Sequence, residues 1–101
     1  MQDEPEVWQP LAKHIRPRLV AKARMQIDKV SGESVLLYPE GLLLLNTTGA
    51  AIVPLCDGKH TLLEIVLELT AHYNVSFEML RSDVSEYLVR LHQLALMDFN
   101  L

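Results

Sequence analysis

Four histidines, one cysteine and a scatter of carboxylates are the side chains that could do chemistry, and their spacing decides against most of it. His14, His60, His72 and His92 lack the short repeated intervals by which a chain closes on a metal ion. His60 and His72 fall at opposite ends of one expected helix, too far apart to share an ion. Cys56 is the single cysteine, so neither an internal disulfide nor a cysteine-based metal site can be assembled. It lies near a helix end, where no helix N-terminus lowers its pKa, and it reads as a small core residue. Ser31-Gly32 and Asp57-Gly58 are lone turn signals without the further glycines of a phosphate loop. No Ser/His/Asp set or carboxylate pair is placed for catalysis, so the chain does not read as an enzyme.

What remains is a stretch suited to binding. Ser34-Val35-Leu36-Leu37-Tyr38 and Leu42-Leu43-Leu44-Leu45 read as two strands joined by a tight turn. Pro39 presets φ for the second turn position and Gly41 suits its exit. The second strand has no polar residue on either face. It must be buried on both faces or lie at an edge awaiting a partner, because exposed edges normally carry Lys, Pro or a bulge.

The other elements follow from local signals. Residues 1–18 hold Pro5, Pro10 and Pro17 with weak periodicity and read as a lead-in arm, with one helical turn near residues 11–15. Trp8 could dock on the body or on a second copy, which makes the arm a candidate for exchange in a homodimer. Residues 21–28 alternate like a half-buried strand. Asn46 or Thr47 can cap a first helix, within which Pro54 forces a kink or a tightening. Gly58 suits a left-handed helix exit. Thr61-Leu62-Leu63-Glu64 is a capping box opening a helix to about Tyr73. Ser76 caps a last helix with Phe77, Leu80, Val84, Leu88, Leu91 and Leu94 on one stripe and Tyr87 on its flank. Arg81, Asp83, Glu86 and Arg90 read as a solvated face, with Glu86 and Arg90 spaced as an ion pair, or some of them border a groove between this helix and the strand at residues 42–45. The end from Met97 is either a frayed tail or a short strand. The expected fold is α+β and winged-helix-like: a three-stranded antiparallel sheet followed by a three-helix bundle.

Composition narrows the function classes. The 101 residues, half of them hydrophobic and only 6% aromatic, suit one domain with an aliphatic core. A net charge of −4 argues against nucleic acid, which needs a basic face. The longest apolar runs fall far below the ~20 residues that cross a bilayer, so no membrane partner is expected. The start does not read as a signal peptide, and a lone cysteine fits a reducing cytoplasm.

Arg16-Pro17-Arg18-Leu19, Val35-Leu36-Leu37-Tyr38-Pro39-Glu40-Gly41, Leu45-Asn46 and Cys56-Asp57-Gly58-Lys59 together closely resemble the PqqD family of pyrroloquinoline quinone biosynthesis. The match runs from about Arg16 to Leu94; with residues 1–18 read as the arm, residues 19–101 are the family-like domain. The resemblance implies a chaperone that binds the precursor peptide PqqA and presents it to the radical-SAM enzyme PqqE. The cluster and S-adenosylmethionine belong to that enzyme, so no cofactor is expected here. In the wider group of peptide-recognition domains the peptide adds as a strand against the last helix. Carried over, Leu42, Leu43, Leu44 and Leu45 would be the accepting edge. Val84, Tyr87, Leu88 and Leu91 would wall the groove, with Asp83 and Arg90 at its rim. Recognition of a different modified peptide is the alternative within the same physics, and a winged-helix nucleic-acid binder is the alternative outside it. Pro54 and the closing residues 94–99 depart from the family pattern.

Overall fold

Turns and caps cut this chain into short pieces, and pairing then joins them across long separations. The computed structural model describes residues 10–100. Its strands are β1 (Arg16–Leu19), β2 (Arg24–Ile27), β3 (Ser34–Tyr38), β4 (Gly41–Leu44) and β5 (Met97–Asn100), and its helices are α1 (Thr47–Ile52), α2 (Leu62–Thr70) and α3 (Phe77–Gln93). β2, β3 and β4 form an antiparallel meander in that order, while β1 and β5 pair separately. The fold is mixed α+β, with a three-stranded antiparallel sheet and three helices.

The meander is built by its turns. Asp28 starts the first, its carboxylate accepting from the Val30 amide at 3.0 Å while Gly32 takes φ +78°, a conformation that Cβ-bearing residues avoid. Pro39 and Glu40 make the second, setting Tyr38 opposite Gly41. β2 is shorter than the expected strand over 21–28. Ala23 is buried and Met25 packs on the core, but Ile27 is exposed.

The helix caps stand where local chemistry puts them. Asn46 Oδ1 accepts the Gly49 amide at 2.7 Å, and Thr61 and Glu64 complete a reciprocal capping box. Ser76 Oγ accepts the Met79 amide at 3.1 Å. Pro54 has no amide hydrogen to extend α1, and the chain tightens into a 3-10 turn over Val53–Leu55. α3 ends in a Schellman motif: Leu96 donates to the Leu91 carbonyl and Ala95 to that of His92, both at 2.9 Å. Ala95 therefore sits at φ +62°, among the described residues the one non-glycine with positive φ.

The core joins Leu36 of β3 to Ile52, Leu62, Ile65, Val66, Val84, Leu88 and Leu91 of the helices. Two expectations need correction. The boundary placed after residue 18 falls inside β1. Much of what was read as an arm is stitched to the body: Leu11 donates to Ser85 Oγ at 2.9 Å, Leu62 to the Ile15 carbonyl at 2.8 Å, and Ile15 is itself core. The helical turn expected near residues 11–15 is a tight turn at Lys13-His14. Residues 1–9, with Trp8 and the proposed exchange between copies, lie outside the described residues. At the chain end the short-strand alternative holds, since β5 pairs along the whole of β1, Arg16 opposite Asn100 and Leu19 opposite Met97.

Candidate functional site

An edge strand declares itself by where its backbone points. Leu45 donates to the Ser34 carbonyl at 2.9 Å, which makes those two a hydrogen-bonded pair. Antiparallel ladders alternate with a period of two. Given the register of Leu36 with Leu43 and Tyr38 with Gly41, those pairs are bonded too. The N–H and C=O groups of Leu42 and Leu44 must then point away from β3. β4 ends the sheet order, so among the described residues no strand meets them.

The same alternation sorts the four leucines. Leu43 lies opposite buried Leu36 and packs on the core, and Leu45 is buried. Leu42 and Leu44 turn to the other face, where they are 55% and 62% exposed. Leu42 and Leu44 therefore offer both free backbone groups and apolar side chains, while Leu43 and Leu45 anchor the strand from beneath.

Beyond the end of β4, a cleft of about 300 Å³ opens between Asn46 and Thr48 on one side and Asp83, Glu86, Tyr87 and Arg90 of α3 on the other. The four α3 residues fall at i, i+3, i+4 and i+7, one stripe along the helix axis. Tyr87 is seated by Gly49: a Cβ at position 49 would run into the Tyr87 hydroxyl. Burial raises the Tyr87 pKa, and the nearby Arg90 charge partly opposes that rise. A second hollow is lined by Leu44, Leu45, Asn46, Thr47, Ala50 and the loop at Gly32 and Glu33. Asn46 thus borders both hollows while capping α1.

The expected groove wall needs revision. Asp83, Tyr87 and Arg90 do line the cleft. Val84, Leu88 and Leu91 do not, being buried in the core, on the opposite stripe of α3. Leucine and valine at helical spacing mark the inward face, and a peptide cannot reach it without unfolding the domain. Asn46, Thr48 and Gly49 also border or seat this cleft without a local sequence signal: Asn46 shows only as a cap and nothing local marks the approach of Gly49 to Tyr87. The expected Glu86–Arg90 pair is not formed: among the described residues the ion pairs are His60–Asp57 and Arg81–Glu78.

The Asp57 turn is built for structure. The amides of His60 (3.0 Å) and Lys59 (2.8 Å) donate to its Oδ1, and the His60 ring lies alongside. These donors, the His60 amide foremost, hold the Asp57 carboxyl well below the usual range. Arg16 donates to the Lys59 carbonyl. Cys56 is buried against the Ile52 carbonyl, and burial pushes its thiol up to about 12, which makes a poor nucleophile. Among the described residues no three His, Cys, Asp or Glu side chains converge as metal ligands. No described helix is long and apolar enough to cross a membrane.

Comparison with known proteins agrees with this architecture. The solution structure of the PqqD truncation of Methylobacterium extorquens PqqCD, described as a RiPP recognition element, superposes with a TM-score of 0.72 at 28% identity, covering 83% of this chain and 88% of that one. A Methylococcus capsulatus protein named PqqA binding protein is 49% identical over 53 residues, 52% of this chain and 57% of the relative. One of the same name from Xanthomonas euvesicatoria is 31% identical over 83 residues, 82% of this chain and 90% of the relative. The family model described as coenzyme PQQ synthesis protein D matches residues 33–97. The chain belongs to the PqqD family.

Proposed function

We propose that this protein binds the precursor peptide PqqA as an added strand on β4, beside the outer stripe of α3, and presents it to the radical-SAM enzyme PqqE. The observation that carries this reading is the open edge at Leu42 and Leu44, with backbone unpaired among the described residues and exposed apolar side chains next to a polar cleft. Backbone pairing supplies affinity in such additions, and side-chain pockets supply selection. The protein does no chemistry itself and needs no cofactor. It works in the cytoplasm, where buried Cys56 stays reduced, and it forms a homodimer through the N-terminal arm, residues 1–18. The β3–β4 hairpin beside α3 is winged-helix-like in this reading, but the net charge of −4 suits a peptide better than a polyanion. A different modified peptide would use the same edge, and the sequence bound most tightly separates the two.

The test is amide chemical-shift mapping with a synthetic PqqA peptide on the natural protein and on Leu44→Pro. Proline is tolerated in edge strands where the N–H faces solvent, so the variant keeps its far-UV spectrum and loses peptide binding. In the natural protein, shifts appear at Leu42, Leu43, Leu44, Tyr87 and Arg90. Shifts confined to other surfaces, or undiminished binding by Leu44→Pro, would sink the strand-addition reading.

A further inference from the structure

The outer stripe of α3 carries charges that the fold itself leaves unused. Glu86 precedes Arg90 by four residues, the favourable order and spacing for a helical ion pair. Even so, the ion pairs among the described residues are His60–Asp57 and Arg81–Glu78. Glu86 and Arg90 instead both line the cleft with Asp83 and Tyr87. All three charged side chains are exposed, so each can exchange water for a partner on an incoming chain at small cost. The arrangement is polar along the helix, with two carboxylates toward the N-terminal end of the stripe and one guanidinium toward the C-terminal end.

Resting on the strand-addition reading, we propose that α3 selects the peptide by the order and spacing of its charges. The bound strand carries a basic residue opposite Glu86 and, two positions away, an acidic residue opposite Arg90. The proposal lays the added strand along the α3 axis, and the spacing follows from that course. Four helical residues rise about 6 Å along the axis, and two residues of an extended strand advance about 6.6 Å. Side chains two apart on a strand share a face, so both can turn toward α3 while the residue between them faces Leu42 and Leu44. Asp83 lies about 4.5 Å further along the stripe. It reinforces the basic position and disfavours a second acid there. Reversing the peptide's charge order would set like charges against each other at both places, which fixes the strand's direction as well as its register. Exclusion by repulsion is a common source of specificity where attraction alone is weak.

The experiment measures fluorescence anisotropy of a labelled synthetic PqqA peptide at low salt, with the natural protein, Glu86→Lys and Arg90→Glu. Both positions are exposed, and circular dichroism checks that both variants fold. Each variant weakens binding by about threefold to tenfold, from one lost attraction and one new repulsion between exposed charges, and added salt erases the difference. A set of peptides with single charge reversals is then tested against each variant. One peptide base changed to Glu partly restores Glu86→Lys, Asp83 still opposing it, and one peptide acid changed to Lys restores Arg90→Glu. These two peptide positions lie two residues apart. Rescue at any other separation, rescue at no position, or natural affinity in both variants overturns the charge rule. If β4 amides still shift on binding in that case, strand addition stands and only the selection rule falls. If they never shift, both fall together.

Discussion

Two strands in this molecule are each four residues long and have opposite fates. β1 contains a proline and is held on both flanks. β5 pairs along one side. On the other, Leu19 donates to the Cys56 carbonyl at 3.1 Å and Gly58 to that of Pro17 at 2.9 Å. β4 is glycine followed by leucines, the composition expected of an interior strand, yet one flank is empty among the described residues. Hydrophobicity therefore does not report which strand is enclosed. The closed strand ties the two ends of the domain together, and the open one keeps its hydrogen-bonding groups for another chain.

Proline substitution separates the two strands most sharply. Leu19→Pro removes the donor to Cys56 and leaves that carbonyl orphaned in the interior, a loss of about 1–3 kcal/mol before ring strain. Urea unfolding should therefore show a large drop for Leu19→Pro and a much smaller one for Leu44→Pro. Equal losses would mean that β4 is not an edge. Next in size is the seat of Tyr87. Gly49→Ala forces the tyrosine aside and should cost about 1–3 kcal/mol. Adding Tyr87→Ala should recover part of that loss, a coupling visible in a double-mutant cycle.

The closed region also carries a pH signature. Burial raises the Cys56 thiol from 9.0 in the unfolded chain to about 12. A raised folded pKa means the stabilisation is complete below about pH 9 and is lost as pH climbs toward 12. By pH 10 the loss is on the order of 1 kcal/mol, and Cys56→Ala should flatten that alkaline decline in urea midpoints. Asp57 acts in the opposite direction. Its lowered pKa gives stability above the ordinary carboxylate range that disappears on acidification. The smallest expected effect is at the exit of α3. Ala95→Gly relieves the positive φ at the Schellman position and should add up to about 1 kcal/mol of stability after its entropy cost, seen as a slightly higher melting temperature.

Legibility in the sequence tracked the distance over which a signal acts. The Thr61 and Ser76 caps and the turn at Pro39-Glu40 each depend on atoms within four residues and stand where the sequence puts them. The structure chooses Asn46 over Thr47 as the first cap and a 3-10 tightening over a kink at Pro54. The inward stripe of α3 was equally plain, since its period is written in leucine and valine. The same stripe sets the limit of a groove wall: Val84, Leu88 and Leu91 are core, not peptide-facing. β1 was missed as a strand because Pro17 breaks its pattern and its partner lies at the other end of the chain.

By itself the sequence determined the family, the helix starts, the β3–β4 hairpin and the presence of an apolar strand without the usual protection. Tertiary structure alone decided that Leu42 and Leu44 turn outward while Leu43 and Leu45 turn in. Four identical side chains carry no phase of their own, and only the register against buried Leu36 supplies one. It also decided that Asn46 and Thr48 meet Asp83, Glu86, Tyr87 and Arg90 across a cleft, because that meeting depends on how α1 and α3 pack and on nothing nearby in the chain.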